Sequence, residues 1–437
     1  MNWLVPIVMF GWIPLILAAF RFLPARRAVL GGFLIGWLFL PIAQYPIAGL
    51  PDYTKLSAVC GVVLAGAALF DFRRFLALRP AWIDAPVLLF CLSPFASSIS
   101  NDLGLHDGLS AVFAQALRWG APYLLGRLYF SGVDPLGELA CAIFGGALVY
   151  APLVLVEVWR GPVLHELVFG YAQPMTDSIP RFGGLRPIVF MESSLMLAVW
   201  MAAGAVIGLW LWRSHARMPP RWLLPLAIAA TLLMRSVNGW FMLALGTALL
   251  FLTAMLRTKI VVTAVIGLIL VFLAVRTLGV WSGRQVVTVV SAVINPVRAE
   301  SLAFRFKNEQ IIGDNARRRP ILGWGRQARP FYNIRTGRPA VPDSLWIAVF
   351  AESGLMGLVG FMALLLSPVV RFLRLYAATD WTLPEVAPAA ALAVVLILYT
   401  IDLLFNAFAN PVFMLAAGGL AGLSPLRLPD RNARYSE

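Results

Sequence analysis

Arginine and carboxylate side chains mark where chemistry could sit in this chain. Arg186 and Arg235 each stand at the mouth of an apolar stretch, while Arg305 and Arg319 fall in a polar segment with eleven Lys and Arg residues between Arg284 and Arg338. A guanidinium beside hydrocarbon is costly unless it pairs, reaches a headgroup or serves an anionic ligand. Its planar fork matches phosphate oxygens two at a time and stays charged at any physiological pH, so several together would suit a lipid-borne pyrophosphate. For any single arginine the plainer use is snorkelling to headgroups, or pairing with Glu157, Glu192 or Asp402.

The carboxylates give the complementary function. Asp343, in Pro342-Asp343-Ser344-Leu345-Trp346, stands where the polar segment re-enters an apolar one, and Glu352 lies nine residues further on. A partly buried carboxylate there could take a proton from an attacking hydroxyl. Asp343 is equally placed to cap the helix that follows. Glu300 and Glu309 have the spacing of helix-surface partners for Arg305 and Lys307. Asp402, Asn406 and Asn410, at i, i+4 and i+8, would share one helix face, where polar groups ordinarily act as glue between helices. Asp102, His106 and Asp107 offer a weak set of cation ligands in an outward loop.

The elements that must hold these groups are set by composition. The chain has 437 residues, 60% of them hydrophobic and 13% charged, and its mean hydropathy is +0.81. These values exclude a soluble globular protein and define an all-α polytopic membrane protein. The net charge of +14 follows from basic loops, and no nucleic-acid module accompanies it. Cys60, Cys91 and Cys141 fall inside apolar runs and imply neither disulfide nor metal site. The first apolar run has no basic region ahead of it and reads as a retained helix.

Apolar runs predict about 12–13 spans, near 2–20, 28–50, 55–70, 82–100, 109–130, 136–157, 188–212, 222–234, 238–256, 260–278, 345–370, 385–406 and 410–423. Pro41 and Pro46 within the second, and Pro94 within the fourth, suggest kinks. Short basic loops alternate along the chain: Arg21/Arg26/Arg27, Arg73/Arg74/Arg79, Arg213/Arg217/Arg221, Arg257/Lys259, Arg371/Arg374 and Arg427/Arg431/Arg434. Together they predict one cytoplasmic face, with 158–187, Arg235–Asn238 and 279–344 on the other. The organisation is one membrane domain: an N-terminal bundle 1–278, a loop 279–344 with an amphipathic helix opening at Asn295-Pro296, and C-terminal helices with a short tail, 345–437.

With the motifs in order, the chain resembles the O-antigen ligase and polymerase family of bacterial membrane glycosyltransferases. The likeness rests on Ser301-Leu302-Ala303-Phe304-Arg305, Arg319-Pro320-Ile321-Leu322-Gly323-Trp324-Gly325, Asp343-Ser344-Leu345-Trp346 and Glu352-Ser353-Gly354-Leu355-Met356-Gly357-Leu358, with Arg186 (in Arg181 to Pro187) and Arg235 near outer mouths of spans. The resemblance implies a GT-C-like fold in the bacterial inner membrane and a periplasmic site. It implies inverting transfer from an undecaprenyl-pyrophosphate-linked oligosaccharide, without cofactor or metal, beside a flippase and chain-length regulator of the same pathway. Arg186 and Arg235 would hold the pyrophosphate, Arg305 and Arg319 would assist, and Asp343 would meet the acceptor. Ligases that modify lipid A core carry a His before the re-entry helix, whereas Pro339 to Trp346 has none. That departure favours a polymerase over a ligase; a lipid-glycan flippase or transporter is the alternative of another class. Trp324, Phe331, Tyr332 and Trp346 are candidates to stack on sugars.

Overall fold

The computed structural model describes residues 2–47, 50–174, 183–293, 296–326, 329–333 and 336–425. In the hydrocarbon of a membrane each backbone N–H and C=O must be satisfied within its own segment, so Leu-, Ala- and Val-rich runs become helices. In chain order these are α1 Leu4–Phe22, α2 Ala25–Phe39, α3 Lys55–Phe70 and α4 Trp82–Ser100. Next come α5 Gly104–Gln115 and α6 Ala121–Tyr129, joined through one π turn, then α7 Val133–Arg160 and the short α8 Leu164–Phe169. The chain continues with α9 Ser194–Arg213, α10 Arg221–Leu233, α11 Val237–Leu256 and α12 Ile260–Thr277. Two helices, α13 Arg284–Val293 and α14 Pro296–Ala316, precede α15 Leu345–Leu375, α16 Ala387–Leu403 and α17 Pro411–Ala421.

Seven of these, α1, α4, α7, α9, α11, α12 and α15, are long and apolar enough to cross a membrane. Four shorter apolar helices, α3, α10, α16 and α17, have the composition but not the length, so a count of 12–13 requires short helices to cross as well. The second expected span is cut short. Its helix stops at Phe39, Leu40 is extended ahead of Pro41, and Pro46 lies in a strand. A residue before proline is pushed out of helical geometry, so Pro41 ends the helix instead of kinking it. Strands β1 Gln44–Ile47 and β2 Leu50–Thr54 then pair antiparallel, Tyr45 opposite Tyr53. Pro94 does lie inside α4.

A helix that is apolar all round belongs at the centre of a bundle. Every residue of α17 is buried, as is 89% of the apolar window of α9. Close approach is built from small residues: Gly126 of α6 and Gly418 of α17 meet backbone to backbone.

Side-chain links sort the loops to two ends. At one end Arg26 reaches Glu138, Arg74 the Leu128 carbonyl, Cys141 the Arg217 carbonyl, and Arg371 the Leu423 carbonyl, while Lys259 donates to Leu373. Five of the six basic loops gather there; the sixth, Arg427/Arg431/Arg434, lies outside the described residues. At the other end Lys55 donates to Phe190, Arg235 to Val158, Asn238 to Asp402 and Arg305 to Phe405. The described parts of the 279–344 loop join this second end, because the loop leaves from α12 and returns at α15, and Arg276 and Ser344 both bind Glu309 of α14.

Candidate functional site

Arg305 is the centre of the best-connected polar cluster. Pro296 opens α14 as anticipated, although Asn295 lies outside the described residues. Arg305, three turns along, donates through Nη1 to the Phe405 carbonyl at 2.9 Å and to Asn406 Oδ1 at 3.4 Å. Asn406 Nδ2 donates in turn to Asp402 Oδ1 at 2.5 Å, which also accepts from Asn238 Nδ2 at 2.9 Å. The Leu345 amide bonds the Asn406 carbonyl at 3.0 Å, so the start of α15 is fixed to the same corner. Asn410 is not part of this corner; its side chain caps α17.

Asp343 lies within electrostatic reach of Arg305, and its Oδ2 is buried without a hydrogen-bond partner among the described residues. Burial pushes the Asp343 carboxyl above the usual aspartate range, and the Arg305 charge offsets part of that rise. The capping expectation fails: Ser344 occupies the N-cap position and makes no capping bond. Its hydroxyl goes to Glu309 instead.

Glu309 corrects another expectation. It is 3% exposed, and its carboxylate pairs with Arg276 Nη2 at 2.6 Å, not with Arg305 or Lys307. Burial raises its pKa despite the Ser344 and Arg276 hydrogen bonds that pull it down. This buried pair clamps the lid helix α14 onto the ends of α12 and α15. The sequence held a signal for it: Phe306, Glu309, Ile312 and Ala316 form one buried stripe at helical spacing.

Arg235 ends α10 and precedes α11 in left-handed geometry, φ 57°. Its Nη1 donates to the Val158 carbonyl at 3.0 Å and the Leu185 carbonyl at 3.2 Å, which brings it to the backbone beside Arg186. Arg186 is 5% exposed and has bonding partners of its own; Arg181 and Phe182 of its motif lie outside the described residues. Three positions past Arg235, in the first turn of α11, is the Asn238 that binds Asp402. The Arg235 corner and the Arg305 corner thus share one helix end. Glu157 does not cap this charge by any bond described; it accepts from the Leu164, Ile188 and Val189 amides at 2.9, 2.7 and 2.7 Å. Val189 is held at φ 58°, costly for a β-branched residue, by Glu157 and by Gln173, which donates to its carbonyl. Nothing in the sequence pattern pointed to that strained segment.

Arg319 and Glu352 form a second cluster. Arg319 donates to Asn101 and covers the Trp324 ring, 4.9 Å from its centroid. Glu352 faces Arg326 in a small cleft with Pro94, Gln115 and Ser353. Helix α15 is broken here, with Gly354 at φ 62° and ψ −161°. The four backbone groups released by the break are taken by residues 320–325. Leu355 and Met356 donate to the Pro320 and Ile321 carbonyls at 2.7 and 3.1 Å, and Trp324 and Gly325 donate to the Ala351 and Glu352 carbonyls, each at 2.9 Å. The motif around Arg319 and the motif around Glu352 are therefore one structural unit. Of the aromatic candidates, Trp346 is buried at 1% exposure and cannot face a sugar, while Tyr332 is 39% exposed. Asp102, His106 and Asp107 do not converge as a metal-holding group among the described residues; Asp107 accepts from Ser98.

The fold defines a mostly helical, multi-pass membrane protein, with arginines and buried polar groups concentrated at one end among the described residues. No protein-family model matches the sequence, and no curated protein matches it.

Proposed function

We propose that this protein is a GT-C-like membrane glycosyltransferase of the bacterial inner membrane, a polymerase that extends glycans carried on undecaprenyl pyrophosphate at its periplasmic face. The observation that carries the reading is the Arg305 corner. Its guanidinium is hydrogen-bonded to neutral oxygens of Phe405 and Asn406 and to no carboxylate among the described residues, and Asp343, with a buried carboxylate oxygen that has no hydrogen-bond partner among them, is within electrostatic reach. Arg235 is likewise held by carbonyls, whereas Arg127, Arg276 and Arg317 are each neutralised by a carboxylate.

On this reading Arg235 and Arg305, with Arg186 behind the Leu185 carbonyl, stabilise the charge that grows on the departing pyrophosphate. The acceptor hydroxyl attacks the anomeric carbon from the opposite side, and Asp343 takes its proton. The bond from carbon to phosphate oxygen breaks, its electron pair leaves with the lipid pyrophosphate, and the anomeric configuration inverts. Arg319 and Glu352 hold the lid, with no direct part in transfer. The transporter alternative draws on the broken helix of α15, because transporters use such breaks to bind ions. Here the released backbone groups are already occupied by residues 320–325, which favours a structural use.

The test is reconstitution of the full chain with an undecaprenyl-pyrophosphate-linked repeat unit. A ladder of chain lengths is expected, and Arg305→Gln should lower its formation about a hundredfold. No product from the wild-type protein, or an unchanged ladder from the variant, overturns the proposal; a single transfer to a different acceptor would favour a ligase.

A further inference from the structure

The end of the molecule opposite the Arg305 corner carries a site that the transfer reading does not use. Between α12 and α15 runs an apolar groove of about 630 Å³, lined by Ile266 and Leu270 on one side and Val359, Met362, Ala363 and Leu366 on the other. Both walls are helices long and apolar enough to cross a membrane, and Leu270 and Val359 are 50% and 57% exposed, so the groove opens toward lipid. From Val359 to Leu375 it extends about 24 Å along the helix axis, enough for a hydrocarbon chain and the start of its headgroup.

One end of the groove is basic. Arg371 and Arg374 line it, and Lys259, just ahead of α12, donates beside them to the carbonyl of Leu373, the residue before Arg374. Arg371 is bonded to the Leu423 carbonyl through Nε and Nη2. None of the three takes part in an ion pair among the described residues. The nearest acid in sequence to the groove, Asp84 beside Ile83, is held by Arg127 at 2.9 Å. Three neighbouring cations with no ion-paired carboxylate among the described residues would repel one another unless an anion were placed there.

We propose that this groove binds an acidic phospholipid, its acyl chain between α12 and α15 and its phosphate among Lys259, Arg371 and Arg374. A zwitterionic lipid would satisfy the apolar walls but would bring its own cation to the basic mouth. Basic pockets between membrane helices select anionic headgroups at about 1 kcal/mol for each Lys or Arg, roughly fivefold in affinity per residue.

The test uses the purified full chain in detergent, titrated with dioleoylphosphatidylglycerol or dioleoylphosphatidylcholine and read by native mass spectrometry. Phosphatidylglycerol should bind at least tenfold more tightly. Arg374→Gln, a change at an exposed residue, should weaken phosphatidylglycerol about fivefold and leave phosphatidylcholine unchanged. Val359→Trp, which fills the groove from its lipid-facing side, should weaken both. Equal affinity for the two lipids, no loss in Arg374→Gln, or undiminished binding in Val359→Trp would each overturn the proposal.

Discussion

On the proposed reading, Asp343 is the residue that takes the acceptor proton. Its Oδ2 is buried and unpartnered among the described residues, and its carboxyl titrates above the usual aspartate range because burial disfavours the charge. For stability the sign is unfavourable at neutral pH, since the fold prefers the protonated form and loses that preference as pH rises through the raised value. For catalysis the same shift is useful, because a stronger base takes the acceptor proton more readily. The transfer rate should fall as pH drops through that raised value, giving an acid limb that lies above the usual aspartate range. Asp343→Asn should lower the rate at neutral pH by about 10²–10⁴ and remove the limb. A variant that kept the wild-type rate and pH profile would exclude Asp343 as the base. The sequence pointed to this residue because it stands where a polar segment re-enters an apolar one. It gave the wrong local geometry, since Asp343 was expected to cap the following helix, whereas Ser344 holds the N-cap position and turns its hydroxyl to Glu309.

The break in α15 shows what sequence patterns convey about elements and what they miss. The Arg319 to Gly325 and Glu352 to Leu358 motifs were each visible, but their union was not, because it consists of backbone hydrogen bonds that no side-chain spacing encodes. Residues 355–375 alone span about 30 Å at 1.5 Å per residue, one hydrocarbon thickness, which puts the break near the membrane edge. Gly354 is needed there twice over. Its backbone is in a region open almost only to glycine, and an added Cβ would sit 2.2 Å from the Ile321 carbonyl oxygen. Gly323, at φ 73°, makes the reciprocal approach to Glu352. Gly354→Ala should therefore release the 320–325 segment, and hydrogen exchange at the Trp324, Gly325, Leu355 and Met356 amides should quicken about tenfold or more. Unchanged exchange at these four amides would mean that the docking does not depend on the glycine.

At the scale of the whole molecule, the periodic return of short basic loops was the most legible feature, and helix starts and stops followed from apolar runs because lipid leaves the backbone few options. An exception was the end of the second apolar run, where prolines diverted the chain into two paired strands, β1 and β2. What the sequence could not fix was which polar residues meet across the bundle, as with Asn238 and Asp402, 164 positions apart. The fold now makes a topological demand. Arg73 belongs with the basic loops at one end, and Thr336 belongs to the loop returning over the Arg305 corner at the other. Both are exposed, so each can report its side of the membrane. In a Cys141→Ser background, which leaves Cys60 and Cys91 buried, Thr336→Cys should react with a membrane-impermeant maleimide in cells whose inner membrane is intact. Arg73→Cys should react only after that membrane is opened. The assignment has a physical basis, because arginines in short loops are retained on the cytoplasmic side while a long loop crosses largely regardless of its charge. Labelling of both positions before permeabilisation would place the two ends on one side and remove the membrane frame on which the proposed periplasmic transfer at the Arg305 corner depends.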